Sequence, residues 1–287
     1  MKSFQRVIGG LVVAFGTWAT LAAQQAAPPA APQAQAAVVE TAAQYQGAAA
    51  EDFLKKAKVV RVRPIGMGVT LPEKVTLALD GVEHFAAFKS IDERRQGMTQ
   101  FGTGPPEMNF QDSWQCEIPA YIVDMTIGLG MVPATIERRV QNKVGSLQWW
   151  VTSMMPEAER AKQKLEPPDK EAFDREVLKM RLFDQLIYNV DRHANNILIT
   201  QEFHLRLIDH SRSLRAQKAL RNPEQLTRFS KSLLEGIKRL TYEELRKQTS
   251  RYLIDAQIRT LIQRRDAILE LAAKLVAEKG EAAVIYP

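Results

Sequence analysis

At Pro167-Pro168 this chain turns from mainly strand-like apolar runs to mainly helical ones, and that change limits it to a fold of two differently built parts. Upstream, the apolar runs are short and strand-like. Val59, Arg61 and Arg63 alternate with their neighbours, and Pro64-Ile65-Gly66-Met67-Gly68 marks a turn. Val75 to Leu79 then leads into Asp80-Gly81, a strong hairpin signal, and the returning strand runs from His84 to Ser90. Tight turns stand where a parallel sheet would need crossover helices, so the sheet is antiparallel. Residues 93–113 are polar and rich in Gly and Pro, and read as a loop. A helix follows over 117–129, then strands over 135–140 and 146–152 around a turn at Asn142-Lys143.

Downstream, Phe173, Val177, Met180, Phe183 and Ile187 keep helical spacing, which predicts one amphipathic helix over 170–189. A polar loop, Asp191 to Asn196, ends it. Ile197 to Ile199 and Leu205 to Ile208 flank a short turn and form a second, small hairpin. Thr241 with Glu244 reads as a capping box, and an apolar stripe from Ile258 to Leu275 makes a last helix stopped by Gly280. The expected architecture is α+β and bilobal, with an antiparallel β-rich lobe over 51–152 and a mainly helical lobe over 153–287. No internal repeat of solenoid period is present.

Composition removes several function classes. The formal charge of +6 comes from 39 basic and 33 acidic residues. Without Lys2 and Arg6 it is only +4, too thin a surplus for a nucleic-acid binder, which concentrates charge in a patch. One cysteine, Cys116, excludes an intramolecular disulfide and a Cys-based zinc site. Residues 1–23 read as an export signal: Lys2 and Arg6 precede the uncharged run Val7 to Ala23, and Thr20-Leu21-Ala22 supplies small residues for a peptidase. The domain is then expected in the periplasm or secreted. Were the segment left uncleaved, it would anchor the chain to the membrane with the domain outside. Residues 24–50 hold twelve Ala, six Gln and three Pro with Glu40 the only charge, and read as a disordered linker with some frayed helix near Val38 to Tyr45.

The chemistry concentrates between Phe173 and Leu214. Asp191-Arg192-His193-Ala194-Asn195-Asn196 lies directly after a helix and before a strand, with Asp209 at the end of the next strand. Asp191 and Asn196 are five apart, the Asp-to-Asn spacing of protein-kinase catalytic loops. The hairpin returns Asp209 to the mouth of that loop, so Asp191, Asn196 and Asp209 converge on one rim with oxygen ligands suited to Mg2+. That arrangement fits phosphoryl transfer, which needs a metal on the phosphates and a group orienting the attacking hydroxyl.

The segment Asn189-Val190-Asp191-Arg192-His193, with Asn196 and Ile208-Asp209, resembles the catalytic core of phosphatidylinositol 3- and 4-kinases. It is similar also to secretory-pathway kinases and to persistence-toxin serine kinases, which share an Asp-Arg-His style of loop. The resemblance spans roughly residues 60–275 and implies ATP and Mg2+ as cofactors in a protein-kinase-like fold. It implies an ATP-binding lysine on an N-lobe strand, a place filled by Lys89, and a helical glutamate pairing with it, for which Glu117 stands ready despite Pro119. Gly66 and Gly68 would form the phosphate-covering turn, and Ser146 to Met155 the hinge. Asn196 and Asp209 would bind metal, and Asp191 would orient or deprotonate the acceptor. His193 either helps activate the hydroxyl or orients the loop through a backbone hydrogen bond. His210 and Ser211 depart from the Asp-Phe-Gly pattern, so the switch behaviour of that triplet is not implied. Trp149 and Trp150 are expected to pack the lobe boundary, and Arg264-Arg265 to lie on the solvated face of the last helix. The acceptor stays open among lipid head group, protein hydroxyl and small molecule. The alternative is a non-catalytic kinase-fold binding module of the cell envelope.

Overall fold

A computed structural model describes residues 42–66, 71–100, 106–152 and 154–287. The export segment, and the linker up to residue 41, lie outside the described residues. Ala42–Tyr45 (α1) is helical where some helix was expected, and the expected disorder after it is corrected, since Gly47–Lys56 (α2) is helical and packed. Tyr45, Ala50 and Leu54 are buried, and the Tyr45 hydroxyl donates to the Gly130 carbonyl. The Ala-rich run is thus the small-residue face of a helix packed on the first lobe.

Three hairpin strands follow: Lys58–Pro64 (β1), Glu73–Leu79 (β2) and Val82–Lys89 (β3). Asp80 and Gly81 both take positive φ, +50° and +80°, which closes a two-residue turn matched to strand twist. Thr135–Val140 (β6) and Lys143–Trp149 (β7) complete an antiparallel sheet in the order β1-β2-β3-β7-β6. In that register Lys89 faces Ser146. Gly145, next to it, has no room for a side chain, since a Cβ would stand 2.1 Å from the Lys89 carbonyl oxygen. The glycine lets β7 press against the end of β3 and hold Lys89 where the strand stops.

On either side of residues 101–105, which lie outside the described residues, the expected loop over 93–113 is corrected to strand. Asp92–Thr99 (β4) and Glu107–Ser113 (β5) pair antiparallel as a separate two-stranded ribbon. Most of β4 is solvent-facing, so it carries no apolar alternation from which a strand could be read. A single 3-10 turn at Trp114–Cys116 then leads into Glu117–Ile127 (α3). Pro119 is third in that helix, inside the first turn, where a missing N–H leaves no intrahelical bond unmade. Glu117 is therefore a helical residue, and it is 2 % exposed.

The second lobe opens with Met155–Pro156 (β8) and Glu157–Gln163 (α4), then Lys170–Leu186 (α5), capped by Asp169, whose carboxylate accepts from the Ala172 N–H. Ile197–Ile199 (β9) and Leu205–Leu207 (β10) form the small hairpin, with β8 on its far edge. Beyond Phe229–Ser230 (β11) come Lys231–Lys238 (α6), Tyr242–Thr249 (α7) and Asp255–Lys279 (α8), then Glu281–Val284 (α9) and Ile285–Tyr286 (β12). The Thr241 hydroxyl accepts from the Glu244 N–H, which is one half of the expected capping box, while the Glu244 carboxylate accepts from Gln248 Nε2 along the helix. Among the described residues no helix is long and apolar enough to cross a membrane.

Arg264 corrects a second expectation. It is fully buried in α8, donating to the carbonyls of Leu186, Arg215 and Gln217, and its guanidinium lies 5.5 Å from the Tyr188 ring. It ties the frayed end of α5 to the segment after Asp209. Arg265 is mostly covered as well, donating to the Leu240 carbonyl and to Asp266. Trp149 packs within the first lobe, stacked on the His84 ring at 3.8 Å and edge-on to Phe53 at 5.5 Å.

Candidate active site

Lys89, at the C-terminal end of β3, is the meeting point of the two lobes. Its ammonium donates to Glu117 Oε1 at 2.6 Å and to Asp209 Oδ1 at 2.7 Å. Burial alone would lower the Lys89 pKa, but Asp209 and Glu117 override it and hold the group above its ordinary value, fully charged. Burial would likewise raise both carboxyls. Lys89 reverses this for each, with His210 assisting at Glu117, so Glu117 ends well below the usual carboxylate range and Asp209 below its own.

Glu117 also reaches the loop after β10. Its Oε2 accepts from the His210 backbone N–H at 3.1 Å and stands 3.5 Å from His210 Nδ1. His210 Nε2 lies 3.0 Å from Arg192 Nη2. A guanidinium can only donate, so Nε2 accepts and the proton of the neutral ring sits on Nδ1, facing Glu117. Burial pushes the His210 pKa down, in keeping with that neutral ring.

Arg192 holds the polar loop together, and sequence reading assigned it no role. Its Nε and Nη2 donate to Asp184, Nη1 donates to the carbonyls of Asn196 and Ile208 at 2.8 Å each, and Nη2 also meets His210. All five donors of the fork are spent, and they join α5, the 191–196 loop and the strand carrying Asp209. The anchoring of the loop uses main chain elsewhere too. The Asp191 N–H donates to Asn189 Oδ1 at 3.0 Å, and Asn196 Nδ2 donates to the Asp191 carbonyl at 3.0 Å. With its amide nitrogen so used, Asn196 keeps Oδ1 as the acceptor for a cation. The Ile208 N–H donates to the Asn196 carbonyl at 3.2 Å, which sets Asn196 beside the strand leading to Asp209.

Asp191 and His193 lie on the outer side of the loop. Asp191 is partly exposed, with Arg212 Nη1 3.5 Å from Oδ1. Arg212 is shared, pairing also with Glu107 of β5. His193 is exposed and its Nδ1 accepts from the Asn195 N–H at 3.3 Å, so the ring orients the loop through a backbone bond and turns its other nitrogen to solvent. Beneath them opens a cavity of about 430 Å³ bordered by Asp191, His193, Arg181 and Arg221. Gly66 takes φ +75° at the start of the turn after β1, whose base is closed by the Ile65 N–H donating to the Pro72 carbonyl. Gly68 lies outside the described residues.

A further carboxylate, Asp112 of β5, is packed against this centre. It is 7 % exposed, within hydrogen-bond reach of the Ser211 hydroxyl and in the field of Asp209, Lys89 and Arg212. No sequence signal marked it, because the strand carrying it was read as loop. The donor set here is oxygen throughout, from Asp209, Asn196 and Asp112, which is the chemistry of Mg2+ or Mn2+ and not of a soft metal.

A model of the family described as phosphatidylinositol 3- and 4-kinase matches residues 71–279, most of the chain. No curated protein matches it. Among solved structures, hydra Fam20 with sugar superimposes at a TM-score of 0.63 and 14% identity, covering 83% of this chain and 91% of that one. The Golgi casein kinase with Mn and ADP bound superimposes at 0.57 and 13% identity, covering 82% and 77%. The Helicobacter pylori proinflammatory kinase CtkA does so at 0.52 and 13% identity, covering 76% and 96%. At such identities the likeness shows the fold, a bilobal kinase-like one.

Proposed function

This chain belongs to the phosphatidylinositol 3- and 4-kinase family, and on that footing we propose that it is a phosphotransferase that uses ATP and Mg2+ to phosphorylate a hydroxyl group. One observation carries the reading: a single lysine ammonium bonds at once to a helical glutamate of the first lobe and to the aspartate after the hairpin of the second. Phosphoryl transfer asks for that convergence of a phosphate-holding cation with a metal-holding carboxylate. Mg-ATP supplies the transferable phosphoryl group and the charge that shields it. Lys89 meets the α- and β-phosphates as a point charge, while Glu117 fixes its direction. Asn196 and Asp209 present oxygens to the cation. Asp191, beside the 430 Å³ cavity, accepts or orients the acceptor's hydroxyl proton, and Arg192 keeps all three at fixed spacing.

The test is calorimetric titration of the purified protein with ATP, with and without Mg2+. Saturable binding is expected only with the metal; no binding under either condition defeats the reading. Export is part of the same proposal, since positive charge precedes a short apolar run ending in small residues. N-terminal sequencing of protein from the cell envelope should begin near Ala23. A chain beginning at Met1 in the soluble cytoplasm overturns it.

A further inference from the structure

The β4–β5 ribbon is bound to the segment after Asp209 more tightly than a surface ribbon needs to be. The Ser113 N–H donates to the Ser211 carbonyl at 3.0 Å, and Gln111 Nε2 donates to the Ser213 carbonyl at 2.9 Å. Glu107 pairs with both Arg212 and Arg215. Strand alternation places Phe110 and Asp112 on one face of β5, and the Arg212 guanidinium lies 5.3 Å from the Phe110 ring on that face.

Asp112 is the residue this clamping delivers. It is more than nine-tenths buried, and its Oδ1 is shielded from solvent with no hydrogen-bond partner. An acceptor left unmade in a dry interior is costly, and more so when charged. What sets Asp112 apart is that its unpartnered oxygen lies in a cluster of acids around Lys89. Nor can Ser211 satisfy it: that hydroxyl has one proton, and it donates to Asp209 Oδ1 at 2.9 Å. Two carboxylates therefore stand on either side of one hydroxyl, with a single proton between them. The charges do not balance either. Lys89 faces Glu117, Asp209 and Asp112, and Arg212 is already engaged by Glu107 and Asp191. About two negative charges remain uncompensated around the phosphate-binding lysine.

We infer that Asp112 is a metal-site residue: with Asp209 it forms a two-carboxylate seat for the divalent cation, one carboxylate from the ribbon and one from the hairpin loop. The inference rests on the reading of this centre as a metal–nucleotide site and adds to it an acid from the first lobe. A cation between the two acids supplies the partner Oδ1 lacks and the charge the cluster lacks. It also gives the ribbon a function, because its ladder to residues 211–213 then determines how far apart the two acids stand.

The experiment uses the full chain, MnCl2 alone as first probe, and ADP with Mn2+ as second. Affinity is read by calorimetry, and melting temperature is measured with and without metal. Asp112→Asn should weaken Mn2+ binding by about 100-fold or more, above the range for disturbing a metal's outer shell. Its metal-free melting temperature should equal or exceed the parent's, since a buried like charge beside Asp209 has gone. Asp112→Ser, smaller and unable to reach so far, should behave alike and serves if the first variant folds poorly. Unchanged Mn2+ affinity in either folded variant overturns the inference while leaving the nucleotide reading in place. A fall in metal-free melting temperature together with unchanged Mn2+-induced stabilisation also overturns it, since Asp112 is then structural. A parent chain that binds neither Mn2+ nor Mn-ADP overturns both readings at once.

Discussion

Asp209→Ala is expected to abolish metal-dependent nucleotide binding while leaving the protein folded. Asp209 is the one acid in direct contact with Lys89 from the second lobe, at 2.7 Å. Removing it takes away the proposed cation ligand and one of the two carboxylates that hold the ammonium. Lys89 keeps a counterion in Glu117 at 2.6 Å, so no buried charge is stranded and the lobes stay tied through Glu117 and the His210 N–H. The loss of Mn-ADP affinity should exceed about 100-fold, above the range for altering a metal's outer shell. One backbone effect needs separating. Asp209 has φ +59°, where alanine costs about 1–2 kcal/mol and asparagine sits comfortably. Asp209→Asn therefore serves as the matched variant, removing charge but not conformation. Calorimetry with ADP and Mn2+ on parent and both variants decides the matter, and equal affinities would reject the metal assignment.

Elements whose burial is one-sided were legible in the sequence. The Asp80-Gly81 hairpin shows because only a few residues accept two successive positive φ values. Helix α5 shows because its apolar stripe faces a core. The closeness of the Asp191–Asn196 loop to the strand leading to Asp209 was legible because a five-residue spacing and a short hairpin leave the chain little freedom between them, and the Ile208 N–H meets the Asn196 carbonyl. Where the reading failed, packing used polar or small residues. The ribbon β4–β5 packs through Gln111, Asp112 and Ser113, which carry no hydrophobic period. The 42–50 stretch hides two buried anchors, Tyr45 and Ala50, in an alanine-rich run. Arg264 is different, since the signal was present: it falls on the stripe Ile258, Leu261, Ile268, and residue type outweighed position in assigning it to solvent. A buried arginine is rare enough that its periodicity deserves more weight than its charge once it interrupts an apolar stripe.

Asp191→Asn separates chemistry from binding more sharply than any other substitution in the site. The loop is anchored through the Asp191 main chain, whose N–H binds Asn189 Oδ1 and whose carbonyl accepts from Asn196, so changing the side chain leaves both bonds in place. Among the described residues, the side-chain ion pair lost is the 3.5 Å contact with Arg212, partly exposed and worth about 1 kcal/mol or less. Mg-ATP affinity and melting temperature should therefore stay close to the parent's. Turnover should fall by about two to four powers of ten, because an amide cannot take the hydroxyl proton that a carboxylate takes. Hydrolysis of ATP to water serves as a poor surrogate while the acceptor is being sought. Melting temperature, Mg-ATP affinity and hydrolysis rate are to be measured on the same two samples. A joint loss of stability and affinity would make Asp191 a structural residue of the turn. Unchanged hydrolysis in Asp191→Asn, with binding intact, would remove Asp191 from the chemistry, whereas no hydrolysis above a mock-purified control by the parent itself would sink the enzymatic reading and leave a kinase fold that binds nucleotide without turning it over.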